Sequence, residues 1–331
     1  MTDFPVSKEP GYRRPPPHPG LDLVRATEAA ALAAGRYMGL ADRHGADHAA
    51  QDAMARALDL LPMKGNIICG EEGRVGGHSP LNSQSMVGNG KGPGLDVEVN
   101  AIDGAGLVAD GKGGSLSVAA FAPPDAMWKP GPAVYMDKLV VDRKVADSIG
   151  PEALDAPPGW TLATVARSKG KEVCDVVVFI VDRPRHKQLI HDVRQAGARV
   201  LLRQGGDVGG ALLAADESAP VDIMMGIGGA AEGLMAACAV KALGGAMLGR
   251  IAPQSQSERQ ACLDGGVDLE QVLSCRDMVQ GDEVYFSATG ITDGLVLHGV
   301  RYHGDYVDTQ SMVLRYETGT RRIITTKHRL K

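Results

Sequence analysis

Acidic residues on predicted turns are the feature of this sequence that most clearly indicates chemistry. They are Asp42, the pair Glu71 and Glu72, Asp103 and Glu232. Most of them lie where a short apolar strand or an amphipathic helix ends, and there a fold can direct several side chains at one point. Oxygen ligands suit hard divalent cations such as Mg²⁺ or Mn²⁺, which bridge phosphate oxygens. Each acid alone could equally be a solvated cap of a turn, so the metal hypothesis depends on a second group of residues.

That second group is a short basic segment, Arg183-Pro184-Arg185-His186. It begins a predicted helix directly after an apolar strand, and Pro184 suits the first helical turn. The free N–H groups of a helix N-terminus attract anions, and two arginines beside them could clamp a phosphate. The alternative is a pair of solvated charges at the rim of a sheet. Together, the acids and the arginines favour a site that binds divalent cations and a phosphate group.

A glycine-rich segment at 226–231 matches the dinucleotide-binding fingerprint locally, because it follows a strand and precedes a helix. Its context argues against that reading. The strand is the third of its domain, and Gly249 and Arg250 stand where an acid is expected about twenty residues later. Glu232 would also repel a pyrophosphate at this helix N-terminus. We therefore do not predict a nicotinamide or flavin site.

Composition limits the classes of protein and partner. A chain of 331 residues fits two domains of ordinary size. The net charge of −5, from 35 basic and 40 acidic residues, argues against nucleic acid or an anionic membrane as the main partner. Five cysteines without CxxC spacing indicate reduced, mostly buried thiols. No apolar run has the length of a membrane span or the pattern of a signal peptide, so we expect a cytoplasmic protein.

The elements that must position these residues are predicted from hydrophobic periodicity. In the first half, two helices (21–40 and from about 47) are joined by a polar turn at 42–47, and strands follow at 66–70, 96–100, 115–121 and 133–141. In the second half, a strand at 176–181, a helix at 184–196 and a strand at 198–202 form a βαβ unit. Further strands are predicted at 221–225 and 284–287. Ligands are expected beyond the carboxyl ends of such strands.

These elements predict an α/β protein with three parts. A flexible Pro-rich tail covers residues 1–20. An α+β domain at 21–160 would carry the metal site, and an α/β domain at 161–331 would bind phosphate.

Several segments, in this order, resemble the class II fructose-1,6-bisphosphatases of bacteria, over almost the whole chain from residue 21 to 330. The matching segments are 25–33, 70–71, 135–139, 183–186, 206–208, 226–233 and 286–292. The resemblance implies the layered α-β-α-β-α fold of the lithium-sensitive, metal-dependent sugar-phosphate phosphatases. It also implies hydrolysis of the 1-phosphate of fructose 1,6-bisphosphate, and of sedoheptulose 1,7-bisphosphate as a further substrate. Mg²⁺ or Mn²⁺ would be the cofactor, and the protein would be a homodimer or homotetramer.

The resemblance also assigns roles to residues of this sequence. It implies metal ligands at Asp42, Glu71, Asn100, Asp103 and Glu232, with Glu71, Asn100 and Asp103 at the catalytic centre. The implied substrate contacts are Asp103, Gly104, Ala105, Tyr135, Arg183, Pro184, Arg185, Gly205, Gly206, Asp207 and Gly229.

The sequence departs from the family pattern at the implied metal centre. The family reads Asp-Pro-(Ile or Leu)-Glu-Gly-Thr where this chain has Asn-Ala-Ile-Asp-Gly-Ala at 100–105. Asn100 replaces a bridging carboxylate, and Ala105 removes a hydroxyl that would help to activate water. The order of Glu72 and Gly73 is inverted, and Gly205 replaces an acid. Two functions therefore stay open: a sugar-bisphosphate phosphatase, or a catalytically impaired relative that binds a sugar phosphate or a partner protein.

Overall fold

The computed structural model describes residues 19–72 and 79–330. The predicted Pro-rich tail lies outside the described residues except for Pro19 and Gly20, which begin the first helix. Part of the Gly- and Ser-rich stretch that follows Glu72, residues 73–78, also lies outside them.

The described part of the chain alternates helices and strands. The helices are α1 Pro19–Gly35, α2 Arg43–Leu58, α3 Ala105–Ala109, α4 Arg143–Ala146, α5 Pro158–Lys169, α6 Lys187–Gln195, α7 Asp207–Ala215, α8 Ala230–Leu243, α9 Gln256–Asp264 and α10 Cys275–Met278. The strands are β1 Lys64–Ile67, β2 Met86–Val87, β3 Gly94–Asp103, β4 Leu116–Ala122, β5 Tyr135–Val141, β6 Val177–Val181, β7 Arg199–Arg203, β8 Ile223–Gly229, β9 Ala246–Ile251, β10 Leu273–Ser274, β11 Tyr285–Gly290, β12 Arg301–His303, β13 Tyr306–Arg315 and β14 Thr320–Arg329.

The first sheet has eight strands in the order β12-β13-β11-β4-β3-β1-β2, with β14 also paired to β13. The pair β1–β3 is parallel and the other pairs are antiparallel. Helices α1 and α2 cover one face, where Val97 and Val99 of β3 pack against Leu23 and Met54. Because side chains alternate along a strand, Glu98 and Asn100 point to the opposite face. That face packs against α8.

The second sheet has six strands in the order β10-β9-β5-β8-β6-β7. Strands β6 and β7 are parallel and joined by α6, so the predicted βαβ unit is confirmed. Strand β8 runs parallel to β6 but antiparallel to β5, which makes the sheet mixed. The outer face packs on α5 and α6, where Leu162 and Val193 meet Val178 and Ile180.

Helices α7 and α8 lie between the two sheets. Their apolar residues, such as Leu212 and Leu234, share one buried cluster with Val118 of the first sheet and Met136 of the second. The order of layers is therefore α-β-α-β-α, and the fold implied by the resemblance is confirmed. No helix of the described residues is long and apolar enough to cross a lipid bilayer.

The structure differs from the predicted elements at several places, of which three concern the candidate site residues or the strands near them. Residues 43–47 belong to α2 and are not a polar turn, because the Asp42 side chain accepts a hydrogen bond from the Gly45 N–H at 2.8 Å and caps the helix. The segment 226–229 is strand, since β8 continues along β5 as far as Gly229. Strand β11 likewise continues past the strand predicted at 284–287 as far as Gly290, which pairs with Leu116 of β4.

Strands also cross the boundary predicted at residue 160. Strands β11 to β14 join the first sheet, while β5 belongs to the second. The two sheets are therefore not divided at residue 160. The two domains predicted on either side of that residue stay a prediction.

Candidate functional site

A polar cleft of about 220 Å³ opens where α3, α7 and α8 begin. It contains most of the site residues predicted from the sequence. The predicted residues on its wall are Asp103, Gly104, Ala105, Arg183, Arg185, Gly205, Gly206, Asp207, Gly229 and Glu232. The cleft lies beyond the carboxyl ends of β3, β6, β7 and β8, as is usual in α/β proteins.

Two glycine turns form the base of the cleft. Gly104 (φ +89°) precedes α3 and Gly206 (φ +85°) precedes α7, and both have left-handed conformations that disfavour a side chain. The turns pack against each other, because a Cβ atom on Gly205 would lie 3.5 Å from the Cα atom of Gly104. Backbone groups therefore form this surface, and a ligand can approach it closely.

Asp103 is held by the backbone of α7. Its side chain is buried, and Oδ2 accepts hydrogen bonds from the N–H groups of Val208 (3.1 Å) and Gly209 (3.2 Å). The Ser115 hydroxyl donates to the Asp103 carbonyl at 2.9 Å, and the Ser115 N–H donates to the Thr292 hydroxyl at 2.9 Å. A negative charge at a helix N-terminus is favourable. Thr292 of the 286–292 motif thus supports Asp103 on the cleft wall through Ser115.

The bare backbone of β8 makes room for two acidic side chains. A Cβ atom on Gly228 would lie 1.7 Å from Oδ2 of Asp207, and one on Gly229 would lie 1.7 Å from Oε2 of Glu232. The Asp207 carboxylate forms an ion pair with Lys138, a nearly inaccessible side chain of β5 that also donates to the Gly229 carbonyl at 3.2 Å. A Cβ atom at 228 or 229 would therefore displace one of these two carboxylates.

The basic segment lies against the edge of β8. Arg185 donates from Nε (3.0 Å) and Nη2 (2.8 Å) to the Ile227 carbonyl, and its guanidinium lies 5.0 Å from the centre of the Tyr135 ring. Arg183 donates to the Asp182 carbonyl at 3.0 Å. The backbone bond and the ring orient the Arg185 guanidinium. The group still has further N–H donors that can bind an anion. Tyr135 and Pro184 are not on the cleft wall.

Of the two aspartates that flank residues 43–46, Asp47 and not Asp42 reaches the cleft. Asp42 is exposed and caps α2, whereas Asp47 is buried on the cleft wall, with the Arg43 guanidinium 3.9 Å away. Sequence reasoning missed Asp47 because it assigned the whole segment to a turn. A helix starting at Arg43 would have shown that Asp47, with Ala46 and Ala50, lies on its inward face.

Two predicted ligands lie behind the cleft wall. Glu71 is buried, and its Oε1 accepts from the Ala101 N–H at 2.6 Å. Asn100 is buried on β3. The same face of this strand carries a buried acid, Glu98. Glu98 accepts from the Cys69 N–H at 2.9 Å, and burial together with this carboxylate raises the pKa of the Cys69 thiol far above its usual range.

The donor types of the cleft suit a hard cation, since Asp47, Asp103 and Glu232 all present oxygen atoms. Within residues 19–72 and 79–330, however, no three acidic, histidine or cysteine side chains lie close enough to hold a metal ion together. The Asp103 carboxylate, one of these donors, also accepts hydrogen bonds from the backbone of α7.

Comparisons with known proteins show the family to which the chain belongs. Residues 18–328 match the family model described as bacterial fructose-1,6-bisphosphatase, glpX-encoded. The chain belongs to the class II fructose-1,6-bisphosphatase family. It is 36% identical over 323 residues to the fructose-1,6-bisphosphatase class 2 of Haemophilus influenzae, covering 94% of this chain and 96% of the relative. It is also 34% identical over 333 residues to the D-fructose 1,6-bisphosphatase class 2/sedoheptulose 1,7-bisphosphatase of Synechococcus sp. (strain JA-3-3Ab), covering 93% and 95%.

Membership in the class II fructose-1,6-bisphosphatase family confirms the resemblance seen in the sequence and places the protein in carbohydrate metabolism. The family consists of metal-dependent phosphatases. The roles of individual side chains in this chain remain proposals.

Proposed function

We propose that this class II family member binds a sugar bisphosphate in the cleft and hydrolyses its 1-phosphate, giving fructose 6-phosphate and phosphate from fructose 1,6-bisphosphate. The observation that carries the proposal is the joint presence of arginines, exposed backbone turns and carboxylates on one wall. The names of the relatives supply the substrate class. Sedoheptulose 1,7-bisphosphate is the second substrate to test.

Each side of the cleft would have its own task. Arg183 and Arg185 would hold the phosphate that is retained, through charge-assisted hydrogen bonds. Asp207, fixed by Lys138, would accept hydrogen bonds from sugar hydroxyls, and the turns at Gly104 and Gly206 would bring backbone close to the scissile phosphate.

Asp47, Asp103 and Glu232 are the cleft residues that would hold Mg²⁺ or Mn²⁺, with Glu71 behind them. Such ions, when bound, orient and deprotonate water and neutralise charge on the phosphate. Asp103 would in addition keep α7 in register, because its carboxylate is bonded to two N–H groups of that helix.

A second function, binding of sugar phosphate with little or no hydrolysis, is favoured by the state of the carboxylates. The Asp103 carboxylate is engaged by backbone, Asn100 is neutral, and the described side chains form no metal-binding group. In that function the arginine side of the cleft would act alone.

A phosphate-release assay separates the two functions. Purified protein is incubated with fructose 1,6-bisphosphate or sedoheptulose 1,7-bisphosphate and Mg²⁺ or Mn²⁺, with a chelator as the control, and fructose 6-phosphate binding is measured by calorimetry. We expect metal-dependent release of one phosphate per sugar. Binding without release would establish the second function, and neither binding nor release would overturn both.

A further inference from the structure

The edge of β8 opposite β5 changes partner at its midpoint. Strand β6 pairs with β8 only at Val178–Ile223 and Phe179–Met224. Beyond Met224 the two strands separate, and the short helical turn Pro184–His186 lies beside β8 instead. The backbone groups of β8 beyond this point need partners other than a strand, because buried N–H and C=O groups are costly when unpaired.

Two consecutive side chains of the basic segment, Arg185 and His186, supply those partners at Ile227 of β8. Arg185 donates to the Ile227 carbonyl from Nε and Nη2. The Ile227 N–H donates to Nε2 of His186 at 2.8 Å. Both polar groups of residue 227 are thus bound by the segment that carries the proposed phosphate ligands.

His186 is buried, and both of its ring nitrogens are engaged. Nδ1 lies 2.6 Å from the Val181 carbonyl, at the end of β6. An N–H that donates to Nε2 requires a lone pair there, so the proton of the neutral ring belongs on Nδ1, which then donates to Val181. The ring therefore joins the end of β6 to the middle of β8.

Gly226 makes room for this ring. Its φ is +128°, and a Cβ atom there would lie 2.9 Å from Nε2 of His186. A side chain at 226 would be strained and would push the imidazole away from Ile227. The same strand continues to Gly228 and Gly229 on the cleft wall. The ring therefore also links the position of the basic segment to that part of the wall.

We propose that His186, in its Nδ1–H tautomer, is a positioning residue that fixes Arg185 and the Gly226–Gly229 strand relative to each other. It touches no substrate. Its role rests on the proposed binding of a sugar phosphate by Arg185, while its tautomer and its bond to Ile227 do not depend on any ligand.

The direct test uses nuclear magnetic resonance on the full chain without ligand. The imidazole nitrogen shifts of His186 at neutral pH are expected to show Nδ1 protonated and Nε2 unprotonated. The Ile227 amide is expected to exchange with solvent at least about tenfold faster in His186→Leu than in the parent, because its acceptor is lost. A ring protonated on Nε2, or an unchanged exchange rate, would overturn the proposal.

Fructose 6-phosphate binding tests the consequence. We expect His186→Leu to bind about tenfold more weakly than the parent. His186→Gln should bind closer to the parent, since its amide oxygen can accept from Ile227. The matched control is His191→Leu, an exposed histidine of α6 that should leave affinity unchanged.

If the parent binds fructose 6-phosphate and His186→Leu binds it with equal affinity, the positioning role is also refuted. If His186→Leu does not fold, His186→Gln is compared with the parent for exchange and affinity. A parent that fails to bind fructose 6-phosphate would refute the proposed function, and the exchange result, which needs no ligand, would then decide whether His186 holds the strand.

Discussion

Asp103 and Asp207 bring negative charge into a cleft that is proposed to receive phosphate, and each is balanced by a different group. Asp103 faces the N–H groups of α7. Asp207 faces the ammonium group of Lys138, whose side chain is 1% exposed. This local compensation reduces repulsion of an anionic ligand. Arg183 and Arg185 can then act on the phosphate, because among residues 19–72 and 79–330 both donate to backbone carbonyls and neither forms an ion pair with an acidic side chain.

Replacement of Arg185 by alanine should weaken fructose 6-phosphate binding at least about tenfold, because a charge-assisted contact is lost. The effect is expected whether or not the protein hydrolyses bisphosphates. Calorimetry measures it, and Arg194→Ala, an exposed arginine of α6, is the control. Equal affinity in Arg185→Ala and the parent would remove Arg185 from the site.

Introducing the aspartate and threonine that the sequence resemblance implies at 100 and 105 should raise catalysis. Asn100→Asp adds a carboxylate and Ala105→Thr adds a hydroxyl, and single groups of this kind change rates by roughly 10²–10⁴-fold. We expect the double variant to release phosphate from fructose 1,6-bisphosphate at least about tenfold faster, with a more-than-additive effect. A double variant no faster than its parent would show that other positions limit the reaction.

At the scale of elements, the cleft depends on where strands and helices meet. Strand β8 carries the glycines on which the carboxylates of Asp207 and Glu232 lie, and β5 carries Lys138 beneath them. On the other side of the first sheet, a buried hydroxyl network joins α1 to β11 and β13. Thr27 contacts Thr289 at 2.8 Å, and Thr289 contacts Ser311 at 2.8 Å. That part of the 286–292 motif is therefore structural, whereas Thr292 supports the cleft.

A methyl group on β8 should damage the site without unfolding the sheet. In Gly228→Ala the new Cβ atom would lie 1.7 Å from Oδ2 of Asp207 and 2.6 Å from Nζ of Lys138, so both side chains must shift from their present contact. We expect at least about a tenfold loss of fructose 6-phosphate affinity. Gly159→Ala in α5, whose Cβ atom would make only an ordinary 3.6 Å contact, is the control and should bind like the parent. Unchanged affinity in Gly228→Ala would contradict a role of Asp207 in binding.

At the scale of the molecule, a buried ion network joins helix α5 to three strands of the second sheet, β5, β6 and β8. Lys169 at the end of α5 lies 2.7 Å from both Asp142, after β5, and Asp222, before β8. Asp222 also accepts from Lys171 (2.7 Å) and from the Val177 N–H of β6 (2.9 Å). Burial opposes ionisation of Asp222, but these hydrogen bonds outweigh it and lower the pKa of the carboxyl.

This network predicts a pH-dependent contribution to stability. Because the pKa of Asp222 is lower in the folded chain, its contribution is present above the unfolded pKa of about 3.9 and is lost as pH falls through the folded pKa. Asp222→Asn should lower the free energy of unfolding by about 3 kcal/mol at neutral pH, since Lys169, whose side chain is only 8% exposed, loses one of its two carboxylate partners.

Denaturant unfolding at pH 7 and at progressively lower pH measures this effect. The difference between Asp222→Asn and the parent should shrink below about pH 4. Asp147→Asn, an exposed aspartate, is the control. A difference that stays constant with pH would mean that Asp222 acts by packing alone.

The sequence by itself determined the family, the class of fold and the residue types of the cleft. Apolar periodicity is a local property, so the βαβ unit at 177–203 and most strands were predicted within a few residues. The arginines, the turns at Gly104 and Gly206, and the acids Asp103 and Glu232 were also identified and lie on one wall.

Only the tertiary structure decided which of these residues meet. Asp47 replaced Asp42 because a capped helix, and not a turn, begins at Arg43. Strand β8 continues through Gly229 because β5, distant in sequence, offers it a partner, and β11 to β14 return to the first sheet for the same reason. Pairings of this kind arise from contacts between residues far apart in the chain, and a local pattern of residues does not predict them.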